Sequence, residues 1–533
     1  MNTKIFKGMI VAGVFGLMLA FTTSCYDLNT EPLSETEVTS ASVFDDPASY
    51  KQFLAKLYAG LAVSGQDGPA GEPDISGIDE GFSQFLRGYW MAQELSTDEA
   101  LVSWNDQTIK DFHDQDWGST DVFITALYYR VFYQIPLANE FLRETTDSKL
   151  DSRGVESGLR DDIQTFRAEA RFLRALSYWH GIDLFANIPF VTEEDPVGNF
   201  LPEQKSRSFV FDFIEEELLA IESELPEPGS NEYGRADKAA AWTLLAKLYL
   251  NAEVYTGEER YTDCITYCER IINAGYELSD DYERLFLADN HTQDNEIIFP
   301  IAFDGEHTKS YGGMTYIIAA ALNGEWGDLE EMFGTTQGWG GNRTTKALVE
   351  KFPEDGEDSR AMFFTEGHSL EIDEVGDFFQ GYGVTKFKNL TSDGEPGSNE
   401  QFMDTDFPMF RLADVYLMYA EAVLRGGEGG SVGDAVTYVN ALRERAYGDE
   451  SGNISQSDLD LDFIIDERAR ELYWEAHRRT DLVRFDSFSQ SDYVWPWKGG
   501  IKEGKSTDPK YDVFPIPADD LGANPKLEQN EGY

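Results

Sequence analysis

The sequence is poor in basic residues, histidine and cysteine. Its 533 residues include 43 Lys and Arg against 98 Asp and Glu, which gives a formal net charge of −55. A surface this acidic repels phosphate backbones and anionic lipid headgroups, so the composition excludes a nucleic-acid-binding protein. The six His include no His-Glu-x-x-His pair, which excludes a zinc peptidase site of that type. Hydrophobic residues make up 41% and aromatic residues 14%, which is enough for a large folded core.

No apolar run is long enough to span a bilayer comfortably, but one short run lies near the N-terminus. Residues 9–21 are apolar and follow two lysines, and a small residue then precedes Cys25. This order is typical of a bacterial lipoprotein, so we predict an export signal at 1–24, a lipid on Cys25 and a polar tether at 25–46. The alternative is ordinary secretory cleavage beside an incidental Cys, since Thr22 stands where such signals usually have Leu.

Hydrophobic periodicity predicts a mainly helical chain. Residues 47–275 form an N-terminal helical part that contains a Gly-, Asp- and Trp-rich loop at 64–118. Between 276 and 406 the helical pattern is lost, and short apolar runs such as 297–299 predict strands or hairpins in a loop-rich region. Residues 407–533 form a C-terminal helical pair and an irregular tail. Individual helices are predicted over 47–63, 120–144, 159–184, 209–225, 235–252, 260–273, 407–425, 434–446 and 458–478.

Three helix pairs repeat a tetratricopeptide-like pattern of a large residue, Leu, a small residue and Tyr. Each such pair buries its apolar stripe only by stacking on a neighbour, so the pattern predicts one scaffold. Cys264 and Cys268 fall on one of these helices and are expected to be small buried side chains, because residues four apart on a helix are poorly placed for a disulfide. The matching positions are Trp242, Leu245, Ala246 and Tyr249 with Cys264, Cys268 and Ile271; Leu412, Val415, Tyr416 and Tyr419 with Ala435, Val439 and Leu442; and Phe172, Ala175, Leu176 and Trp179 with Ile214, Leu218 and Ile221.

Motifs that carry catalysis are scarce. Residues 429–433 match the Gly-x-Ser-x-Gly spacing of a nucleophile elbow, but that elbow links a strand to a helix, whereas two predicted helices flank it here. Ser431 is therefore expected to lie in a turn or to cap the second helix. With 98 acids, the two carboxylates of a glycoside hydrolase cannot be recognised by spacing. We predict a non-catalytic protein without a cofactor, with a glycoside hydrolase as an alternative.

Three Trp residues lie in loops rich in Gly, Asp and Asn instead of on helical stripes, namely Trp104, Trp326 and Trp339. A flat indole can stack on the C–H face of a sugar ring, and neighbouring polar side chains can bond its hydroxyl groups. The alternative is that each Trp plugs its loop onto the core. The loops therefore favour a sugar-binding surface without proving it.

Several longer motifs occur along nearly the whole chain. They are residues 26–32 (YDLNTEP), 167–176 (RAEARFLRAL), 187–192 (NIPFVT), 466–475 (DERARELYWE), 481–485 (DLVRF), 514–517 (FPIP), 524–525 (NP) and 529–533 (QNEGY). Together they resemble the SusD/RagB family of outer-membrane nutrient-binding lipoproteins. Two departures are Ala476, where the family commonly has Gly, and Glu531, where it commonly has Pro. The charged residues of these motifs are expected to pair with neighbouring helices.

The resemblance implies a mainly helical fold with tetratricopeptide-like pairs, a ligand loop at 64–118 and a loop-rich ligand face at 276–406. It also implies a lipid anchor in the outer membrane, with the protein facing the cell exterior. The implied partner is a SusC-like TonB-dependent barrel, over which the protein captures an oligosaccharide or polysaccharide for import without catalysis. One branch of the family imports peptides, and an acidic surface attracts cationic ones, so a peptide importer is the alternative.

The resemblance implies ligand-binding residues as well. The starch-binding founder of the family uses an Asp, an Arg eight positions on and a Trp seventeen further, and Asp79, Arg87 and Trp104 stand at that spacing. Val102 stands where the founder has a second Trp. The alternative for Asp79 and Arg87 is an ion pair that braces the loop. The expected ligand-binding residues are Asp79, Arg87, Trp104, Asn105, Gln107, Tyr311, Tyr316, Trp326 and Trp339. No metal is predicted, although Asp side chains at 355–358 offer oxygen ligands for calcium.

Overall fold

The computed structural model of the chain describes residues 43–533 apart from 72, 199, 294, 355 and 491. The predicted export signal, the lipid-carrying Cys25 and the tether as far as residue 42 lie outside the described residues. The chain divides into two compact units, Met1–Asp46 and Pro47–Tyr533, and the helices and strands given below belong to the second unit.

Helices dominate the described chain, which confirms the predicted mainly helical class. In the described ranges no strand exceeds five residues, and no helix combines the length and apolarity needed to cross a bilayer. The helices are α1 Ser49–Ala62, α2 Phe85–Trp90, α3 Asp111–Asp114, α4 Val122–Glu144, α5 Asp147–Ser152, α6 Ser157–Phe185, α7 Arg207–Ile221, α8 Lys238–Leu250, α9 Ala252–Thr256 and α10 Tyr261–Ile272. They continue with α11 Asn290–Gln293, α12 Gly313–Ala321, α13 Leu329–Phe333, α14 Lys346–Val349, α15 Leu412–Leu424, α16 Val432–Tyr447, α17 Leu461–Leu472, α18 Arg478–Arg484 and α19 Ala518–Ala523. The strands are β1 Leu101–Val102, β2 Ile188–Phe190, β3 Glu203–Lys205, β4 Ile297–Ile301, β5 Asn342–Arg343, β6 Phe363–Phe364, β7 Gly383–Val384 and β8 Phe407–Arg411.

Short polar side chains cap the N-termini of several of these helices. The Asp121 carboxylate accepts hydrogen bonds from the backbone N–H groups of Phe123 and Ile124, both at 2.9 Å, at the start of α4. The Ser431 hydroxyl accepts one from the Asp434 N–H (3.0 Å) at the start of α16. Such caps satisfy N–H groups that have no partner within the helix. The expectation that Ser431 caps a helix is therefore confirmed.

The three predicted helix pairs are present as α6 with α7, α8 with α10, and α15 with α16. Helix α10 also packs on α15, so successive pairs stack on each other. The stripe residues Leu245, Ala246, Cys264 and Cys268 are fully buried. The two thiols are free, and their sulfur atoms lie 3.9 Å apart. These positions belong to the core, as the stacking argument predicts.

Two of the predicted helices end or begin elsewhere in the structure. The first five residues of the predicted helix 407–425 form β8, because Phe407–Arg411 pairs antiparallel with β4. The predicted helix 458–478 ends at Leu472, and a turn in which Trp474 (φ 65°) and Ala476 (φ 62°) are left-handed separates α17 from α18. Local periodicity missed both breaks because the residues that stabilise them lie far away in the sequence.

The region 276–406 contains β4 to β7 and four short helices, so the predicted loss of the helical pattern is confirmed. Strand β5 of this region pairs antiparallel with β1, with Leu101 opposite Arg343 and Val102 opposite Asn342. The pairing holds the predicted ligand loop 64–118 against the loops of the predicted ligand face. It thereby brings together two segments about 240 residues apart in sequence.

Buried ion pairs connect the scaffold. Arg411 bonds Glu471 at 2.6 Å and Glu296 at 2.9 Å, and all three side chains are at most 1% exposed. Near the N-terminal pair, Arg171 on α6 bonds Glu217 on α7 at 2.7 Å. The charged residues of the family-like motifs therefore pair within the scaffold, as predicted.

Candidate functional site

Arg87 lies on α2 with its guanidinium between two aromatic rings. The guanidinium carbon is 4.6 Å from the centre of the Phe82 ring and 4.2 Å from that of Tyr316. The side chain is 5% exposed, and burial lowers its pKa, while Tyr316 and two nearby Asp carboxylates oppose that shift. An arginine in this position is a preformed donor of hydrogen bonds at the base of a surface site.

The Arg87 guanidinium has no bonded partner in the described part of the chain. Its Nε is buried without a hydrogen bond, and no acid lies within ion-pair distance. Asp79 lies in an exposed loop, where its Oδ1 accepts hydrogen bonds from Gly81 N–H (2.9 Å) and Phe82 N–H (3.2 Å). Asp79 therefore shapes the loop and contributes to the electrostatic potential at Arg87. The two side chains do not form the ion pair that was the alternative prediction for them.

Trp104 follows β1 and packs against the loop of residues 339–341. Its indole Nε1–H donates to the Trp339 carbonyl (3.3 Å), and the Ser103 N–H donates to the Gly341 carbonyl (2.8 Å). Gly341 has no Cβ, and one added there would overlap the Trp104 ring. The centres of the Trp104 and Trp339 rings are 6.4 Å apart at an angle of 43°, and both residues are half-buried. The two indoles thus form a tilted aromatic platform at the surface.

Tyr316 lies beneath this platform instead of on its surface. It is 0% exposed, and its ring centre is 6.2 Å from that of Trp104. Its hydroxyl contacts Asn342 Oδ1 at 3.4 Å. Tyr316 was predicted to bind ligand, and the structure instead places it as the ring that supports both Trp104 and Arg87.

The remaining polar candidates lie in exposed loops. Asn105 and Gln107 are exposed just after Trp104, and Gln107 is left-handed (φ 45°). Tyr311 is 40% exposed, lies beside Gly81 of the Asp79 loop and packs against Phe402 with ring centres 5.5 Å apart. Asn105 and Gln107 are therefore exposed polar neighbours of Trp104, whereas Tyr311 belongs to the surface beside the Asp79 loop.

Trp326 belongs to a separate aromatic cluster. Its ring stacks on Phe364 with centres 4.0 Å apart, and its Nε1–H donates to His368 Nε2 (3.1 Å). Among the described residues it makes no ring contact with Trp104 or Trp339. The structure therefore places Trp326 as a plug between loops, which is the alternative weighed for the loop Trp residues.

Comparison with known proteins identifies the family. A family model described as "SusD family" matches residues 373–533, and one described as "Starch-binding associating with outer membrane" matches residues 83–250. The starch-binding protein SusD of Bacteroides thetaiotaomicron is 35% identical over 583 residues, a match that covers 100% of both chains. The chain belongs to the SusD family. The resemblance seen in the sequence motifs is confirmed.

Other relatives of this SusD-family chain support the same assignment. A SusD-like protein of Bacteroides ovatus is 26% identical over 337 residues, which cover 59% of this chain and 58% of that protein. A SusD homolog of known structure from Bacteroides thetaiotaomicron is 20% identical, with a TM-score of 0.73 over 92% of this chain and 98% of that one. Surface glycan-binding protein A from the same organism, solved in complex with laminarihexaose, has a TM-score of 0.67 at 19% identity over 91% and 99% of the chains. The solved structures establish the fold.

Sequence reasoning missed the residues that support this SusD-family site from below. Trp90 contacts Tyr316 and Trp474, with ring centres 5.8 Å and 4.9 Å apart, and its Nε1–H donates to the Trp474 carbonyl (3.0 Å). Val102, at the position of the founder's second Trp, is buried in β1 and presents no aromatic face. No sequence signal joins Trp90 to Trp474, because 384 positions separate them.

Residues 499–506 have the Gly-x4-Gly-Lys-Ser spacing of a phosphate-binding P-loop. A P-loop links a strand to a helix and keeps its N–H groups free for phosphate, whereas this segment begins within a 3₁₀ turn at Lys498–Gly500. The N–H groups of Gly504 and Lys505 already bond backbone carbonyls. Three Asp carboxylates share the adjacent cleft with Lys505 and repel phosphate, so the match carries no phosphate site.

The segment 355–358 that offered calcium ligands is described only in part, because Asp355 lies outside the described residues. Asp358 is buried, and both of its oxygens bond the Arg360 guanidinium, at 2.9 Å and 2.7 Å. Within the described residues no group of three or more metal-binding side chains converges. Asp358 therefore braces its loop through Arg360.

Proposed function

We propose that the chain is a cell-surface binding protein, anchored in the outer membrane through Cys25, that captures an oligosaccharide or polysaccharide without cleaving it. The observation that carries the proposal is the half-buried Trp104–Trp339 platform at the surface, which shares the supporting Tyr316 ring with the unpartnered Arg87 guanidinium. The 35% identity to a starch-binding protein over its whole length supports it. Starch-type glucans are therefore the first ligands to test.

The geometry suits a sugar chain in two ways. Tilted indoles offer apolar faces to successive rings of a curved glycan, and their burial of C–H groups contributes to affinity. The Arg87 guanidinium and the exposed amides of Asn105 and Gln107 can bond hydroxyl groups. A ligand hydroxyl would also supply the partner that the Arg87 guanidinium lacks.

Calorimetric titration against soluble starch, laminarin and other polysaccharides tests the proposal. Trp104→Ala should weaken binding of the preferred glycan by about 1–3 kcal/mol, because it removes one wall of the platform. The matched control is Trp242→Ala, which removes a half-buried Trp from α8 in the tetratricopeptide-like scaffold and should leave affinity unchanged. Failure of every glycan in the panel to bind, or equal losses in the two variants, would contradict the proposal.

We further propose that a SusC-like TonB-dependent barrel receives the captured glycan for import. The family assignment supports this partner. Co-purification of a SusC-like barrel with the full chain from outer membranes is the expected result. Cys25→Ser should release the protein from the membrane fraction, whereas the same change at the buried Cys264 should not. Retention of the Cys25 variant in the membrane would rule out lipid anchoring at this residue.

The same titrations separate the alternatives. A peptide importer with a net charge of −55 should bind cationic peptides, with an affinity that falls steeply as salt is added. Sugar binding through stacked rings and neutral hydroxyl groups should change little with salt. Incubation of the protein with its glycan should yield no new reducing ends, whereas their appearance would favour the glycoside hydrolase.

A further inference from the structure

The turn at residues 473–477, between α17 and α18, contributes to the floor of the site. Trp474 and Ala476 are left-handed in this turn, with φ of 65° and 62°, a conformation that is strained for residues with a Cβ. The Trp474 ring contacts Trp90, which contacts Tyr316 under Arg87 and Trp104. A change in the turn would therefore reach Trp104 of the platform through three successive ring contacts.

Two buried acids hold this strained turn in place. Glu94 Oε1 accepts hydrogen bonds from the Ala476 N–H (2.6 Å) and the His477 N–H (3.3 Å). Glu99 Oε2 accepts one from the Trp474 N–H (3.1 Å). Glu94 and Glu99 are 0% and 1% exposed, and both belong to the stretch that leads into β1 and Trp104. The acids thus connect the turn directly to the ligand loop.

The two carboxyl groups accept N–H groups only two positions apart in this turn, and the second oxygen of Glu94 is buried without a hydrogen-bond partner among the described residues. An ionised carboxylate can only accept a hydrogen bond, so a bond between two carboxyl groups requires a proton on one of them. If both were ionised, Glu94 Oε2 would be buried without any donor. Two ionised carboxylates side by side in a buried site would also repel each other strongly.

We propose that Glu94 and Glu99 share one proton, and that this protonated pair clamps the strained turn beneath the platform, which makes both acids positioning residues for ligand binding. The inference rests on the proposed glycan-binding function. It adds that binding requires a buried proton located outside the contact surface.

The proton belongs on Glu94. The Arg478 Nε lies 3.7 Å from Glu99 Oε1 and favours the ionised form of Glu99. Burial and the neighbouring Glu99 raise the pKa of Glu94 well above its usual range, and burial raises the pKa of Glu99 to about 7. Glu94 Oε2–H therefore donates to the Glu99 carboxylate, and loss of this proton at alkaline pH breaks the clamp.

The other titratable groups that face the pair keep their charge state near neutral pH. Arg478 bonds both oxygens of Asp98 at 2.7 Å, which holds the pKa of Asp98 below its usual range and that of Arg478 above it. The phenols of Tyr89 and Tyr473 are buried, and their pKa values are raised well above the usual range.

Burial lowers the pKa of the His477 imidazole to about 3, so it is neutral in this range. Lys386 donates to the Tyr473 carbonyl (2.7 Å), and burial lowers its pKa to about 8. Among these groups, the acid pair and Lys386 therefore change charge between mildly acidic and mildly alkaline pH.

Glu94→Gln removes the shared, titrating proton but keeps the size and packing of the side chain. Its amide oxygen can accept hydrogen bonds from the two N–H groups of the turn. Its amide N–H can donate to Glu99 in place of the shared proton, and it does not titrate. For soluble starch, or whichever panel glycan binds, wild-type affinity should fall several-fold from about pH 6.5 to about pH 9 as the proton is lost. The affinity ratio between these two pH values should be clearly closer to one for Glu94→Gln than for wild type, and the titration of Lys386 remains in both proteins. Asp237→Asn, which alters the buried N-cap of α8, is the control and should follow the wild-type profile.

Infrared difference spectra provide a readout that needs no ligand. The wild type minus Glu94→Gln spectrum should contain the C=O band of a protonated carboxyl group at neutral pH, and alkaline pH should abolish it. Absence of the band would overturn the shared proton even if glycans bind, whereas a band without glycan binding would reject only the proposed function. A pH-independent wild-type affinity, or parallel profiles for wild type and Glu94→Gln, would overturn the positioning role. If Glu94→Gln does not fold, Glu99→Gln is used in the same way, because its amide can donate to Glu94.

Discussion

Arg87 is a nearly buried positive charge that no acid of the described chain neutralises within ion-pair distance. The rings of Phe82 and Tyr316 provide only part of the solvation that water would give it. A buried charge without a hydrogen-bonding partner lowers stability, and ligand sites commonly retain such groups because the ligand completes their bonds. Arg87 should therefore contribute to binding at the expense of the free protein's stability.

Arg87→Met tests this trade-off. The melting temperature should stay the same or rise, because the change removes an unpaired buried charge and keeps the packing volume. Glycan affinity should fall at least about tenfold, since a hydrogen bond to a charged group is worth about 1.5–3 kcal/mol. In contrast, Arg171→Met removes a paired arginine and should lower stability by up to about 1 kcal/mol without affecting affinity. Equal thermal destabilisation by the two changes would contradict this view of Arg87.

Gly341 controls the position of Trp104 because a Cβ at this residue would overlap the indole ring. Gly341→Ala should push Trp104 out of the platform, weaken glycan binding markedly and cost about 1–3 kcal/mol of stability through overpacking. Gly324→Ala, in the same region, meets its nearest atom only at 3.8 Å and is the matched control. Calorimetry and thermal unfolding of both variants should separate them. Normal affinity in Gly341→Ala would show that the platform does not depend on this close contact.

At the scale of elements, the turn between α17 and α18 departs from what the family usually places there, since Ala476 occupies a left-handed position where Gly is common. Ala476→Gly should relieve strain and stabilise the protein by about 1 kcal/mol, which chemical denaturation can measure. Ala469→Gly, inside α17, should destabilise by about 1 kcal/mol or more because it adds backbone freedom to a helix. If Ala476→Gly is also destabilising, the left-handed geometry of the turn is not a source of strain.

The same turn shows which parts of the fold could be predicted from the sequence and which could not. Periodicity was sufficient for the stacked helices, because Leu245 and Cys264 lie on stripes that only stacking can bury. It did not reveal the break after Leu472, because the acceptor of the Trp474 N–H is Glu99, 375 positions away. In the candidate site, the family spacing predicted Arg87 and Trp104, and the structure places both against Tyr316. The burial of Tyr316 depends on tertiary packing that no local pattern encodes.

At the scale of the whole molecule, the charges form two populations. Most of the excess acids coat the surface, where they favour solubility and are screened by salt. A smaller group is buried with arginines, as Glu467 is with Arg360 at 2.8 Å and Asp481 is with Arg468 at 2.7 Å. Buried pairs of this kind are costly to break, because removing one charge leaves the other without a partner. The buried acids should therefore dominate the dependence of stability on pH.

Stability should pass through a maximum in mildly acidic solution. Arginine partners lower the pKa of Glu467 and of Asp481 to about 2, so their stabilising effect is complete above their usual pKa values and is lost as pH falls towards 2. The pKa values of Glu94 and Glu99 are raised, so their contribution is complete below about pH 4.5 and is lost as pH rises towards 7 and above. The shifts of Glu467, Asp481 and Glu99 each correspond to about 2–3 kcal/mol, which urea unfolding across the pH range can detect. Glu94→Gln should flatten only the alkaline side of the curve, and a change on the acid side would mean that the acid pair and the arginine network are not independent.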